Sequence, residues 1–536
     1  MDELSCKNEM NEHSERVALD VLTEKARKYV SRFDVTIFCG TFVIAMLVHL
    51  YMFTHKFINH DDIDRLYNER GRGLSSGRWL SSFINSLTGM FSSSWLNGVA
   101  GALCLALAVL FIIKIFRIRH YVPSFLVSLI LVSFPVIAST YAYMFCSFSY
   151  LFALAASILG ALLIRGGTIL SILLGSLSIA LSMGCYQAYF PVAAVLLVAA
   201  LIIDICEDKF EGNAVGFALR AVKCLVGLAL GMVLYFVFLK FSLWYTGTEL
   251  TDYAGIGTMG QMTAIELLER IALAYINFFR FYSGDIFKIF HMGFPILAYL
   301  CAAVSLISVI CAVVSKKLYR RPIMMVFLVL CILIFPLASN LVYVMTKAWT
   351  VHVVMLYPLV TLLVIPSVAA DRMRLPEKSA EGTPPTPTAV LSLLLVGIIL
   401  LEAAVGYECV LITNRAYFTM DMTYENMYAY YTKLTAKIEM QEGYTTDSKV
   451  ALIGTASMDN FVPETNMTGV LVGSKALNIY SRQKFFAYFL AVDYNYAGSD
   501  DIAAIKATEE FQNMPCYPAE GSIAVINGII TVKFSE

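Results

Sequence analysis

The chain has 536 residues, of which 58% are hydrophobic and only 15% are charged, and its formal net charge is -1. Soluble globular proteins carry about 25% charged residues, so this composition excludes an ordinary soluble domain and indicates a membrane protein. The balanced charge argues against nucleic-acid binding, which needs a basic excess. The twelve cysteines show no CxxC spacing, and we interpret them as small buried hydrophobic residues rather than metal ligands or disulfides.

Apolar runs recur along the chain, and about eleven of them are long enough to cross a hydrocarbon core of about 30 Å. They cover residues 35–55, 97–116, 121–141, 148–165, 168–185, 190–205, 221–243, 293–315, 323–345, 352–370 and 389–411. We therefore predict an all-α polytopic membrane fold over residues 35–411. Residues 1–34 precede the first span, and residues 14–33 have the pattern of an amphipathic helix at the cytoplasmic surface.

Lysine and arginine residues mark one side of this predicted membrane fold. They occur in the N-terminal segment and in alternate connections, near residues 117–119, 220–223, 316–321 and 372–378. Because short cytoplasmic loops are enriched in these residues, we expect a multi-pass plasma-membrane protein with a cytoplasmic N-terminus. The loops 56–96 and 245–292 and the segment 412–536 are then extracytoplasmic.

The segment 412–536 differs in composition from the rest of the chain. Residues 449–454 have the composition of a strand, and residues 523–534 alternate around Asn527-Gly528, which is the signature of a β-hairpin. A predicted helix with Tyr428, Tyr431 and Leu434 precedes them. We predict that this segment forms a small α/β domain on the extracytoplasmic side.

The first extracytoplasmic loop contains the densest set of ionisable residues beside any predicted span. His60, Asp61 and Asp62 follow the first span directly. Adjacent carboxylates raise each other's pKa values, which suits a general base or a divalent-ion ligand. The same loop contains three arginines that offer bidentate hydrogen bonds to a phosphate: Arg70, Arg72 and Arg78.

A structural interpretation of this loop stays open. Asp61 or Asp62 can cap a short helix, and the arginines can extend to lipid phosphates. We favour the functional interpretation because the acidic pair and a Gly-Arg-rich sequence occur together at one face of the membrane.

Other candidate residues lie in shorter connections. In the turn 184–190, Gln187 can hydrogen-bond a sugar hydroxyl, and Tyr186 or Tyr189 can stack on a sugar ring. An aromatic belt at the membrane interface explains the turn equally well. Lys347 is a further phosphate candidate. Charges in the loop 245–292 are interpreted as solvated, and Glu402 is an acid inside the last span that we expect to be protonated or paired within the bundle.

The loop sequence around Asp61-Asp62, the Gly77-Arg78-Trp79 run and the Tyr186-Gln187 turn resemble the bacterial type II glucosyltransferase (Gtr) membrane proteins. These proteins modify O-antigen and related cell-surface polysaccharides, and they belong with the lipid-donor glycosyltransferases of GT-C fold. The resemblance covers about residues 35–410 and leaves the C-terminal segment unmatched.

The resemblance implies that a hexose, with glucose as the expected sugar, is transferred from a polyprenyl-phosphate donor to a glycan at the cell surface. Asp61 or Asp62 would be the catalytic carboxylate. Arg78, with Arg70, Arg72 or Lys347, would bind the donor phosphate, and the substrate-binding residues would be His60, Trp79, Tyr186 and Gln187. No cofactor and no metal are implied, although a divalent ion at Asp61 and Asp62 is compatible with the pattern.

Two other functions fit a polytopic membrane protein. A transporter or flippase predicts charged or broken helices near the bilayer midplane and internal repeats, and the sequence has no visible repeat. A membrane scaffold whose C-terminal segment binds a partner leaves the acidic pair and the arginines without a role. Convergence of Asp61, Asp62, Arg78 and Gln187 on one cavity would favour the transferase.

Overall fold

In a computed structural model, which describes residues 30–55, 60–67, 73–251, 262–284, 293–345, 351–374, 386–456 and 479–535, the chain forms a bundle of apolar helices and a small sheet. The helices up to the last span are α1 (Arg32–Thr54), α2 (His60–Asp64), α3 (Ser81–Ser86), α4 (Ser94–Phe116), α5 (Tyr121–Ser133), α6 (Pro135–Tyr141), α7 (Met144–Gly166), α8 (Ile169–Cys185), α9 (Phe190–Cys206), α10 (Ala214–Thr246), α11 (Ala264–Tyr282), α12 (Gly293–Ser315), α13 (Pro322–Ser339), α14 (Val342–Met345), α15 (Val360–Arg372) and α16 (Thr386–Glu439).

Within the described residues, eight helices are long and apolar enough to cross a membrane, and the bent pair α5–α6 can supply a ninth span. The chain is therefore a multi-pass membrane protein. Helices α8 and α15 coincide with two further predicted spans, but they have 17 and 13 residues, which is short for a full crossing. The count of eleven spans stays a prediction.

Local sequence explains where these helices begin and how closely they pack. Ser31 and Asp34 form a capping box at the start of α1, with each side chain accepting from the other residue's backbone N–H. Glycines bring α7 and α8 together backbone to backbone, because a Cβ on Gly175 would lie only 2.8 Å from the carbonyl oxygen of Gly160. Small residues at helix contacts are typical of membrane bundles.

Ion pairs join several helices at one end of the bundle. The buried carboxylate of Asp204 contacts Arg165 and Lys209, and the carboxylate of Glu207 contacts Arg372. Glu402 lies deeper in the bundle, where its carboxyl oxygen is 2.6 Å from the hydroxyl of Ser367. Its carboxyl group is thus hydrogen-bonded within the bundle.

The C-terminal part of the chain follows directly on the last span. Helix α16 is continuous from Thr386 to Glu439, so the predicted domain boundary at 411 falls inside this helix. The remaining elements are β1 (Lys449–Ile453), α17 (Ile479–Phe489), β2 (Asn495–Tyr496), α18 (Ser499–Lys506), α19 (Glu509–Asn513), β3 (Ile523–Ile526) and β4 (Ile529–Lys533). We call residues 440–535 the C-terminal segment.

The four strands form one mixed sheet in the order β2-β1-β4-β3. Strand β1 runs parallel to β2 and β4, whereas β3 and β4 are antiparallel. Asn527 and Gly528 connect β3 to β4 with φ angles of 52° and 75°, which are the positive values that a type I′ hairpin turn requires. The predicted strand and the predicted hairpin are both confirmed.

Four of the predicted features lie wholly or mostly outside the described residues. They are Arg70 and Arg72 in the first loop, Lys347, and most of the amphipathic segment 14–33. The other predicted site residues are described, and all of them lie at or near the end of the bundle where α1 ends and α4 and α7 begin. We call this end the site end.

Candidate active site

Asp62 is a buried cap on a membrane-spanning helix. Its Oδ1 accepts from the backbone N–H of Phe145 at 2.8 Å and from the hydroxyl of Ser92 at 3.0 Å, and its Oδ2 accepts from the N–H of Met144 at 3.3 Å. Met144 and Phe145 are the first residues of α7, whose own N-cap residue, Tyr143, supplies no side-chain hydrogen bond. Asp62 thus satisfies donors that the start of this helix leaves open.

This environment changes the acidity of Asp62. Burial raises the pKa of its carboxyl group to about 7, and the neighbouring Asp61 acts in the same direction. The hydrogen bonds from Phe145, Ser92 and Met144 oppose the shift because they stabilise the ionised form. With both of its oxygens accepting protein hydrogen bonds, Asp62 is poorly placed to abstract a proton from a substrate.

Asp61 occupies the adjacent position in α2 but is accessible. About a third of its side chain (34%) is exposed, and its Oδ1 lies 3.8 Å from Nε2 of His60. Asp61 also lies within electrostatic range of His352, a residue in the connection before α15. Partial burial lowers the pKa of the His352 imidazole, and the negative charge of Asp61 opposes part of this shift. Asp61 is therefore the carboxylate of the pair that a substrate can reach.

Arg78 follows a tight turn whose glycines set its direction. Gly73 and Gly77 have φ angles of 104° and 75°, which favour glycine, and the N–H of Arg78 donates to the carbonyl of Gly73 at 2.9 Å. The guanidinium carbon lies 5.6 Å from the ring centre of Tyr150 and 5.3 Å from that of Tyr186. These two rings are stacked 4.1 Å apart, so Arg78 extends over an aromatic pair.

Gln187 and Tyr235 hold this turn from the bundle. The amide of Gln187 donates to the carbonyl of Ser76 and to the hydroxyl of Tyr235, both at 3.0 Å. The hydroxyl of Tyr235 in turn donates to the carbonyl of Gly77 at 3.1 Å. In this arrangement Gln187 is buried and positions the backbone before Arg78, and its role in sugar binding stays a prediction.

The two aromatic candidates are also largely built into the bundle. Tyr186 is buried beneath Arg78. The ring of Trp79 packs 5.3 Å from that of Phe238 and fits against Gly184, where a Cβ would lie 2.6 Å from the indole. Both side chains therefore pack within the bundle that holds the turn. The role of Tyr186 and Trp79 in substrate binding stays a prediction.

Arg65 is a cation that the sequence reasoning did not single out. It follows Asp61 by one helical turn, its N–H donates to the Asp61 carbonyl at 3.0 Å, and its guanidinium carbon lies 5.0 Å from the ring centre of Phe145. Arg65, Arg78 and Asp62 all lie within electrostatic range of the Cys146 thiol. The i, i+4 spacing of Asp61 and Arg65 was a signal available in the sequence.

A cavity of about 350 Å³ opens beside α2, which is within the range of small-molecule sites. Its walls combine aromatic and hydroxyl groups: Phe53, Thr54, His55, Leu66, Tyr67, Phe91, Ser92, Ser93 and Ser94. Ser92 connects the cavity to Asp62 through its hydrogen bond. Among the described residues there is no group of three or more histidines, cysteines or acids that could hold a metal ion.

A family model for glucosyl transferase GtrII matches residues 50–363. The chain belongs to this family. The match begins inside α1 and ends inside α15, so the GtrII region contains α2, the Gly73–Gly77 turn and the bundle that supports them. The C-terminal segment lies outside the GtrII match. The comparisons with curated proteins and with solved structures give no match.

Membership of the GtrII family makes the chain a glucosyltransferase of a membrane family. The expected resemblance to Gtr membrane proteins is thereby confirmed.

Proposed function

We propose that the chain transfers glucose from a polyprenyl-phosphate donor to a hydroxyl group of a cell-surface glycan. The observation that carries this proposal is the geometry of the site end: the accessible carboxylate of Asp61 shares a five-residue helix and its flank with Arg65, and Arg65 and Arg78 both lie near Cys146. The accessible carboxylate and the two arginines thus lie at the same end of the membrane bundle, with Asp61 and Arg65 one helical turn apart.

The chemistry assigns one role to each kind of group. Asp61 takes the proton from the acceptor hydroxyl, whose oxygen forms a bond to the anomeric carbon of glucose. The bond from that carbon to the phosphate oxygen breaks, and the phosphate keeps the electron pair. Arg78 and Arg65 stabilise the negative charge that develops on this leaving group. Since arginines can supply this stabilisation, the step requires no metal.

The contacts that hold Arg78 in place favour a role in binding the donor phosphate over a role in neutralising nearby charges. The guanidinium carbon of Arg78 lies 5.6 and 5.3 Å from the centres of two stacked rings, and these contacts restrict the side chain. A guanidinium group can donate two parallel hydrogen bonds to a phosphate. Gln187 and Tyr235 fix the turn that precedes Arg78. Binding of the donor therefore costs little conformational entropy in this turn.

The cavity beside α2 suits the acceptor sugar. Serine and threonine hydroxyls can exchange hydrogen bonds with a sugar, and the ring faces of Tyr67 and Phe91 offer apolar surface. The cavity is linked to α2 through Leu66 and Tyr67, which follow this helix, and through Ser92, which donates to Asp62. Asp61, Asp62, Arg78 and Gln187 are not among the residues that line it, so their convergence on one cavity stays a prediction. The charge pattern of the connections supports an extracytoplasmic site end in the bacterial plasma membrane, with a GT-C-like arrangement of spans.

The test is donor preference in proteoliposomes that contain the purified chain. We expect transfer of labelled glucose from synthetic polyprenyl-phosphate glucose to a lipid-linked glycan acceptor, and none from UDP-glucose. Transfer from UDP-glucose alone would refute the lipid donor. Movement of the lipid-linked sugar between leaflets without transfer would instead support the flippase.

A further inference from the structure

We propose that the C-terminal segment is a positioning part of the active site, which holds α2 in place through Lys484 and through a core built around Ile63. The inference rests on the proposed function for the role of Asp61, but its structural basis is independent of the reaction. The segment lies outside the family match, so the family assigns it no role.

Ile63 inserts into a hydrophobic core that the end of α16 shares with the C-terminal segment. It is fully buried among apolar residues from α16, α17 and the sheet, including Tyr431, Leu434, Phe485 and Phe486. Burying an isoleucine side chain removes its apolar surface from water and so stabilises the packing that contains it. The helix that carries Asp61 is thus anchored in the hydrophobic core that α16 and the C-terminal segment form together.

Lys484 of α17 binds the next residue along α2. Its Nζ donates to the Asp64 carboxylate at 2.9 Å and to the Asp64 carbonyl at 2.7 Å. The carbonyl is one of the groups that the end of a helix leaves without an intrahelical partner, so the ammonium group both pairs with a charge and caps α2. Tyr67 and Tyr488 extend the contact, with ring centres 6.1 Å apart.

Helix α2 is too short to keep its conformation and position without tertiary contacts. It has five residues, and helices much longer than this are marginal in water without tertiary contacts. Asp62 fastens it to the start of α7, whereas Ile63 and Lys484 fasten it to the C-terminal segment. Asp61 directly precedes these attachments in α2, so its position depends on both.

The turn before Arg78 provides an internal contrast. Its contacts come from Gln187 and Tyr235, which belong to the bundle. Loss of the Lys484 contact should therefore disturb Asp61 and Arg65 and leave Arg78 in place. A displacement of about 1 Å at a reacting group can cost about 10²-fold in rate, so even a local loosening of α2 is measurable.

The experiment compares three variants of the full-length chain. Lys484→Met removes the charge and the hydrogen bonds but keeps an unbranched side chain, and Lys484→Arg keeps a cation that can reach Asp64. Lys449→Met is the matched control, because Lys449 pairs with Asp501 at 2.9 Å elsewhere in the C-terminal segment. Each variant is measured by sugar transfer, with kcat and donor KM separated, and by amide hydrogen exchange of residues 60–66.

We expect Lys484→Met to lower kcat by about tenfold or more and to speed amide exchange in α2, Lys484→Arg to recover most of both, and Lys449→Met to match the wild type. The exchange measurement needs no turnover, so it tests the positioning even if the donor is another molecule. Unchanged exchange in Lys484→Met would overturn the inference. So would faster exchange in α2 with wild-type transfer, because α2 would then move without consequence for Asp61.

Discussion

The two halves of the candidate site are held in different ways. Helix α2 is fixed from several sides by groups distant in the chain: Ser92, the start of α7 and Lys484, which lies 420 positions after Asp64. The Gly73–Gly77 turn is fixed by its own backbone hydrogen bonds and by two side chains of the bundle, Gln187 and Tyr235. The proposed base thus depends on the whole fold, and the proposed phosphate cation depends mainly on the bundle.

This difference separates two neighbouring aspartates that the sequence presents as a pair. Asp62 is committed to helix capping, and Asp61 is left accessible. Substitutions in α2 should therefore separate effects on chemistry from effects on folding, whereas substitutions at the turn should act on binding of the donor phosphate.

The largest effect is expected at Asp61. Asp61→Asn removes the proton acceptor and should slow glucose transfer by about 10²–10⁴-fold without lowering thermal stability. Asp61→Glu, which keeps the carboxylate on a longer side chain, should retain part of the activity. The measurement is the initial rate of transfer per folded protein. A wild-type rate in Asp61→Asn would remove this residue from the mechanism.

The next effect is expected at Arg78. Arg78→Ala should reduce transfer by about 10²-fold or more, in line with the removal of a group that stabilises developing charge. Arg78→Lys should remain impaired despite its charge, because an ammonium group cannot donate two parallel hydrogen bonds from one plane. Arg65→Ala gives the comparison within α2. Equal rates for Arg78→Lys and the wild type would contradict bidentate phosphate binding.

Asp62→Asn should act on stability more than on chemistry. An asparagine keeps one acceptor oxygen in place of two, so the start of α7 loses part of its cap, at a cost of about 1–3 kcal/mol. Thermal unfolding in detergent is the measurement. Normal stability combined with complete loss of transfer would show that Asp62, and not Asp61, is the reacting carboxylate.

The pKa of Asp62 adds a dependence on pH. The folded chain holds this proton up to about pH 7, whereas the usual pKa of an aspartate is 3.8. Between these values the folded state binds more protons than the unfolded state, so the free energy of unfolding should fall as pH rises from about 4 to about 7 and level off above. Unfolding curves across this range should show the fall in the wild type and a smaller one in Asp62→Asn.

The smallest effect is expected at the support of the turn. Tyr235→Phe removes the hydrogen bond to Gly77 and the acceptor for Gln187, which costs about 1 kcal/mol and should lower transfer only severalfold, through a raised donor KM. Tyr275→Phe is the matched control, because its hydroxyl donates to the Leu333 carbonyl away from the site. An equal loss in both variants would indicate general destabilisation rather than a shift of Arg78.

Much of the fold could be predicted from local sequence. Long apolar runs identify spans because the hydrocarbon core sets their length, and Asn527-Gly528 identifies a hairpin because few residues tolerate positive φ. The continuity of α16 past the membrane was missed, since a helix that leaves the bilayer loses the apolar signal used to delimit it. Glycines at positions 73 and 77 explain the positive φ angles of the turn beside Arg78.

The different structural roles of the site residues could not be predicted from the sequence. Whether Asp61 or Asp62 is buried depends on where α7 begins, and that start lies 82 positions away along the chain. The role of Gln187 depends on the carbonyl of Ser76, which is 111 positions earlier. Such pairings arise from tertiary packing, and the spacing of residues along a single sequence does not predict them. Arg65 alone among the missed residues had a local signal.

The most direct measurement separates donor binding from transfer in one protein. Purified wild type and Asp61→Asn, in matched proteoliposomes, are titrated with synthetic polyprenyl-phosphate glucose and then given acceptor in a single-turnover experiment. If Asp61 is the base and the arginines bind the phosphate, both proteins should bind the donor with similar Kd, and Asp61→Asn should transfer at least about 100-fold more slowly. Equal single-turnover rates in the two proteins would contradict the proposed site.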